Sequence, residues 1–387
     1  MSTTLADLES WISDMMKKQE IAHYKMDVSG NTTKGDGYLG EVTFIKIIAS
    51  AEKGGEKYYN LIVKSAKKSD EFRKQTPIRE AFEREIFMYT KVFPIFLCAV
   101  KTKKESLILE NLKTEGFEIH DRKIVQNLNH ALFVFRNYGK FHAISLALKS
   151  KKPALYKSLT KNMTNVMGRF ISQSKMITNF INDVKSAIDI LRNSGREALA
   201  LKFEGFEDGI EDYLINYANP NNRQSVITHG DCWNNNMMFK YEDENKNQPI
   251  DIRFIDFQLS TVASPVFDLS YYLYCCTDET VLRNFNFLLQ AYYSSLSDSL
   301  KEFGCNPEEL FTFKELKDHW TKYGRYGFCL TPFILKIALC ETDEVVDFAD
   351  TIDKGELSSA FDFKLQRQDL YKQRLVDVLT HFAETFL

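Results

Sequence analysis

An aspartate and an asparagine five positions apart, Asp231 and Asn236 in the run His229-Gly-Asp-Cys-Trp-Asn-Asn-Asn236, bring two complementary oxygen functions to one short loop. The aspartate can accept or steer the proton of a substrate hydroxyl, and the asparagine carbonyl can ligate magnesium. Twenty residues beyond Asn236, the run Phe254-Ile-Asp-Phe-Gln258 places Asp256 at the end of an apolar stretch. There its carboxylate can hold a magnesium ion bridging nucleotide phosphates. Each residue also has a plainer use: Asp231 and Asn236 can cap turns, and Asp256 can accept backbone hydrogen bonds.

Upstream, Gly35, Gly37 and Gly40 lie in Gly35-Asp-Gly-Tyr-Leu-Gly40 and precede a strand pattern rather than a helix. Small residues let backbone amides approach phosphates, but a dinucleotide fingerprint needs a preceding strand and a following helix. Taken alone, the segment reads more readily as an ordinary glycine-rich turn than as a nucleotide lid. Lys64 ends the strand-like run Tyr58 to Lys64, and Glu85 follows on a helical pattern. A lysine near phosphates neutralises charge, and a helical carboxylate can orient its flexible ammonium. The competing picture is a solvated strand-edge lysine with Glu85 on an exposed face, and Glu83 is a rival carboxylate. His229, His142 and Asp268 read as supporting groups, and Trp233 as core or loop support.

These residues require a particular set of elements. Val42 to Ala49 and Tyr58 to Ser65 read as a hairpin across an Ala-Glu-Lys-Gly-Gly turn. Ile78 to Tyr89 reads as a helix with Phe82, Ile86 and Tyr89 on one face, and Pro77 in its first turn. Short apolar runs at Phe96 to Val100 and Ser106 to Leu109 complete a sheet-rich first lobe, with the domain boundary near Leu112. The predicted domains are therefore 1–112 and 113–387. In the second, Val125 to Leu148, Phe170 to Leu191 and Glu279 to Leu300 have helical length and spacing. Ser225 to Thr228, Met237 to Tyr241 and Ile252 to Phe257 read as strands around the polar loops, and Phe363 to Phe386 as a terminal amphipathic helix.

The 387 residues exceed one small core, and the 13% aromatic content supplied mainly by 30 Phe and 18 Tyr suits a large buried interior. With 50 basic and 53 acidic side chains, no strong global field recruits nucleic acid or acidic membrane. No apolar run approaches the roughly 20 residues of a membrane span. The seven cysteines lack paired zinc spacing, and the first residues lack a signal-peptide core, so a reducing cytoplasmic compartment is expected. Without a sustained heptad, monomer and homodimer both stay open.

Taken together, the glycine run, Ile62-Val-Lys64, Phe82-Glu-Arg-Glu85-Ile-Phe-Met-Tyr89, Ile108-Leu-Glu-Asn-Leu112, Phe141-His-Ala143, Val226 to Asn236, Phe254 to Gln258 and Phe267-Asp-Leu269 resemble the ecdysteroid kinase-like family. That family lies within the choline kinase-like and aminoglycoside phosphotransferase-like group. The resemblance spans most of the chain and implies an α+β, bilobed protein-kinase-like fold, with a sheet-rich N-terminal lobe and a mainly helical C-terminal lobe. It further implies ATP and Mg2+ as cofactors and a small-molecule alcohol, an ecdysteroid among the options, as acceptor. By motif position, Asp231 resembles the catalytic aspartate, Asn236 and Asp256 the magnesium ligands, Lys64 the phosphate-contacting lysine and Glu85 its ion-pair partner. Glu110, Asn111 and Leu112 resemble the adenine-side hinge, read through its backbone with Glu110 exposed. Two other functions remain open: a nucleotide-dependent binding or scaffold protein without turnover, and a kinase acting on proteins.

Overall fold

The computed structural model describes residues 3–31, 39–50, 55–92, 105–218, 221–242, 244–341, 343–344, 357 and 365–387. The chain divides into two compact units, Met1–Phe117 with Val345–Asp362, and Glu118–Glu344 with Phe363–Leu387. The units thus part after Phe117 rather than at Leu112.

Unit 1 begins with helix α1 (Leu5–Lys18), started by a reciprocal capping box between Thr4 and Asp7 that satisfies two otherwise orphaned backbone donors. Leu8, Trp11, Ile12, Met15 and Met16 recur at helical spacing, so one face is apolar. That face forms a core with Ile45, Ile47, Leu61, Val63 and Ile108. These partners belong to an antiparallel sheet of β1 (Tyr24–Asn31), β2 (Gly40–Ser50), β3 (Glu56–Ala66) and β4 (Ser106–Glu110), in that spatial order. The β2/β3 pair realises the expected hairpin. Strand β1 was not expected, because its polar residues and Ser29-Gly30 carry a turn signal. It lies at the sheet edge, where polar residues are tolerated, and its pairing slips between Val28 and Gly30. Helices α2 (Asp70–Gln75) and α3 (Ile78–Phe87) follow β3. Pro77 caps α3, and Tyr89 falls in a wider turn, Met88–Val92, rather than in the helix. The expected run Phe96 to Val100 lies outside the described residues.

Unit 2 opens with the short strand β5 (Glu118–Ile119) and the long helix α4 (Leu128–Lys151). The expected single helix from Phe170 to Leu191 is two, Val166–Gln173 and α5 (Ile177–Asn193), separated where Lys175 takes a left-handed φ of 57°. Strands β6 (Val226–Ile227), β7 (Met237–Tyr241), β8 (Pro249–Phe254) and β9 (Val262–Ala263) form two small sheets, β5-β7-β8 and β6-β9. After them come α6 (Val266–Cys276), α7 (Phe285–Glu302), α8 (Phe313–Tyr323), α9 (Arg325–Leu339) and α10 (Gln368–Phe386). The helix expected over Glu279 to Leu300 is broken at Arg283 and Asn284 into Glu279–Leu282 and α7. Helices α4 and α7 pack together, as do α6 and α9, and α10 lies against α5 and α9. No helix among the described residues is long and apolar enough to cross a membrane.

Candidate active site

In unit 1, Lys64 lies on β3 with Val42 of β2 on one side and Leu107 of β4 on the other. This interior position, with 8% of the residue exposed, is not the solvated edge of the plainer reading. Its ammonium donates to Glu85 Oε2 at 2.8 Å, and Glu85 is 1% exposed. On α3, Ala81 and Phe82 share the buried face with Glu85 because they stand four and three residues before it. The Phe82 ring accordingly lies 5.6 Å from the same ammonium. Glu83 points elsewhere and pairs with exposed Arg79 at 3.2 Å. Gly40 opens β2 opposite Ala66; a Cβ there would stand 2.9 Å from Ser65 O and 3.0 Å from the Phe82 ring. Its missing side chain therefore serves strand–helix packing. Gly35 and Gly37 lie outside the described residues.

At the expected hinge, Glu110 is half-buried rather than exposed, because it ends β4 opposite Leu61. The Asn111 N–H donates to Asn60 O at 2.9 Å, and Leu112 O accepts from Phe117 N at 3.2 Å. Both groups are thus paired within the chain.

In unit 2, the loop after β6 is fixed from several directions. Gly230 takes φ +86°, and a Cβ there would run into the Leu259 carbonyl, so the tight bend requires glycine. His229 and Gly230 donate their backbone N–H groups to the two oxygens of Asp268, at 2.7 and 3.0 Å. Asp268 Oδ2 also meets His142 Nε2 at 3.0 Å, while His142 Nδ1 meets the Tyr292 hydroxyl at 3.0 Å. Asp268 is fully buried; burial pushes its carboxyl up, but the His142 hydrogen bond and neighbouring imidazoles outweigh this and hold it below its ordinary value. Asp268 thus orients the loop, and His142 supports Asp268.

His229 binds the loop to the strand-end segment. Its Nε2 donates to Ile255 O at 2.9 Å, and its Nδ1 accepts from Asp231 N at 3.2 Å. One donor and one acceptor define a neutral imidazole, and burial lowers the His229 pKa accordingly. The Asp231 carboxylate is held at both ends: Asn236 Nδ2 donates to Oδ2 at 2.7 Å, and Tyr271 Oη donates to Oδ1 at 2.9 Å. Asn236 Nδ2 also reaches Asp231 O at 3.0 Å. With its amide nitrogen so engaged, Asn236 has its carbonyl oxygen to offer a cation. Asn236 O in turn accepts from Ile255 N at 3.0 Å, next to Asp256. Asp256 takes a left-handed φ of 64°, a conformation that costs a non-glycine residue about 1–3 kcal/mol and marks a constrained turn. Trp233 is buried and precedes the short turn Asn234–Asn236, consistent with loop support.

Sequence reasoning missed Tyr271. The available signal was its spacing three residues after Asp268 on α6, which places both on one helix face.

A sequence model described as the Ecdysteroid kinase-like family matches residues 34–305, a span holding the lysine pair, the loop and Asp256. The chain belongs to the Ecdysteroid kinase-like family. Its fold is α+β, with the four-stranded sheet in unit 1 and most helices in unit 2. No curated protein matches the chain. Solved structures similar to this ecdysteroid kinase-like chain include a GDP complex of an aminoglycoside 2'-phosphotransferase-IIIa mutant, at 12% identity and TM-score 0.42, covering 97% of each chain. The GDP complex of the wild-type enzyme matches at 12% identity and TM-score 0.37, over 97% of this chain and 98% of that one. Choline kinase LicA from Streptococcus pneumoniae matches at 12% identity and TM-score 0.35, over 96% and 99%.

Proposed function

We propose that this protein is a Mg-ATP-dependent kinase that phosphorylates a hydroxyl of a small molecule, with ecdysteroids the first acceptor class to test. The observation that carries the reading is the Asp231 carboxylate held by Asn236 and Tyr271 on a loop whose backbone is itself fixed by Asp268. Family membership over residues 34–305 supports the same chemistry.

Each residue then has a defined task. Asp231 orients the acceptor hydroxyl and takes its proton as the oxygen attacks. Lys64, steadied by Glu85, neutralises phosphate charge, a role a point-charge ammonium performs without bidentate geometry. Asn236 Oδ1 and the Asp256 carboxylate would hold the cation. The donor set fits magnesium, which takes one or two protein oxygens and completes its shell with phosphate and water; among the described residues no cluster of three or more His, Cys, Asp or Glu offers an all-protein cage. Bound Mg-ATP supplies the transferable phosphoryl group and positive charge against its developing negative charge. Gly35, Gly37, Gly40 and the backbone of Glu110 to Leu112 belong to the nucleotide side of this proposal. A cytoplasmic setting belongs to it as well, matching six described cysteines that are free thiols, the form a reducing compartment maintains.

The test is intact-mass detection of phosphorylated product across ecdysteroids, other steroids and hydroxylated metabolites, with Mg-ATP and the wild-type chain. An added phosphate on an ecdysteroid supports the full reading, and transfer only to another alcohol keeps the chemistry while rejecting the steroid. ATP binding without transfer to any member, with folding verified, overturns the kinase assignment in favour of a binding role.

A further inference from the structure

Tyr271 lies on α6 three residues after Asp268 and is 1% exposed. Helix α9 presses on this step of α6. Gly327 of α9 has no room for a Cβ against the backbone of Ser270 and Tyr271, and its N–H donates to Ser270 Oγ at 3.2 Å. The ring therefore has a fixed origin, and its hydroxyl ends 2.9 Å from Asp231 Oδ1. One face of α6 thus holds the loop backbone through Asp268 and the loop's carboxylate through Tyr271. We propose that Tyr271 is a positioning residue for phosphoryl transfer, its phenol fixing the rotation of the Asp231 carboxylate about its last side-chain bond.

The physical basis is a two-point clamp. Asn236 donates to one carboxylate oxygen and Tyr271 to the other, so rotation breaks two hydrogen bonds to a charged group, each stronger than a neutral pair. Burial, followed by the Asp231 charge, pushes the Tyr271 phenol well above its ordinary value, so it serves as donor throughout. Tyr272, the next residue, provides an internal comparison. It is equally buried, but its hydroxyl donates to Gln126 Oε1 at 2.7 Å.

The inference rests on the proposed role of Asp231, and its test separates the two. Tyr271→Phe and Tyr272→Phe each remove one buried hydroxyl from α6 in the full chain. The assay uses Mg-ATP with the acceptor that the wild type phosphorylates. The expected result is a kcat lowered roughly tenfold in Tyr271→Phe, the size of loss that imperfect positioning produces, with KM for Mg-ATP within twofold. Tyr272→Phe keeps kcat within twofold. Equal losses in both variants, or an unchanged kcat in Tyr271→Phe, overturn the inference while leaving the kinase reading intact. A wild type that transfers phosphate to nothing removes the kinase reading itself. A second measurement needs neither turnover nor the Phe variant: the buried Tyr271 hydroxyl proton, followed by NMR in tyrosine-labelled protein, is expected to move upfield in Asp231→Asn. An unmoved resonance contradicts the contact on which the inference depends.

Discussion

The lysine of unit 1 and the aspartate of unit 2 are held by different means. Lys64 meets α3 from β3, with Glu85 accepting from its ammonium and the Phe82 ring beside it. Asp231 is fixed through its backbone by His229 and through its carboxylate by Asn236 and Tyr271, while Asp268 secures the preceding two residues. The difference suits the chemistry proposed. A phosphate-contacting ammonium acts as a point charge and tolerates small displacement, whereas a carboxylate that meets a reacting hydroxyl loses rate steeply when displaced.

The comparison breaks most severely at Asp268. Asp268→Ala removes the acceptor of two buried backbone N–H groups and of His142, and is expected to destabilise unit 2 by about 4–5 kcal/mol. Hydrogen exchange resolved by peptide mass should show faster opening in 226–276 and little change in 40–66. Equal effects in both units would contradict the separation.

Lys64→Met is next in size. It takes the lysine from a buried carboxylate, with an expected cost of about 3 kcal/mol confined to unit 1. Adding Glu85→Leu should recover most of that stability without recovering nucleotide affinity, as read by thermal unfolding and ATP titration. Recovery of both would remove Lys64 from the nucleotide role.

Acid should also distinguish the units. Burial lowers His130, His319 and His381 from 6.5 to about 4, and all three lie in unit 2, whereas His23 is the one histidine of unit 1. A depressed imidazole pKa means that the unfolded chain takes protons first. Their contribution is therefore complete above pH 6.5 and is lost as pH falls toward 4. Urea titrations of Trp11→Phe, whose remaining tryptophans Trp233 and Trp320 report unit 2, should show a falling midpoint over this range. A constant midpoint would show that these imidazoles are not held neutral.

The smallest effect belongs to Glu83→Gln. This residue shares an exposed pair with Arg79, so stability should change by less than about 0.5 kcal/mol. ATP affinity should stay at the wild-type value, while Glu85→Gln weakens it. Equal weakening would return Glu83 to consideration.

What the sequence disclosed follows from the range of each interaction. Lys64 and Glu85 were legible through the resemblance of their motifs: Lys64 ends an apolar run, and helical periodicity alone left Glu85 on either a buried or an exposed face. Glu83 could be discounted only once α3 had a packed face. The loop motif announced Asp231 and Asn236 through their types, but nothing in their spacing showed that Asn236 donates to Asp231. Tyr271 is 40 positions from Asp231, and its contact is created by the packing of α6 beneath the loop. Strand β1 escaped notice because its pairing, not its own apolar pattern, makes it a strand. The helix break at Lys175 likewise depends on a left-handed residue that no glycine signalled.

The most direct test of the central claim measures nucleotide affinity and phosphate transfer side by side for the wild type, Asp231→Asn and Lys64→Met. Asp231→Asn is expected to retain the wild-type ATP affinity and lose transfer by about 10²–10⁴-fold, the span of positioned acid–base catalysis; Lys64→Met is expected to lose affinity. An Asp231→Asn protein that transfers phosphate at the wild-type rate would contradict the account.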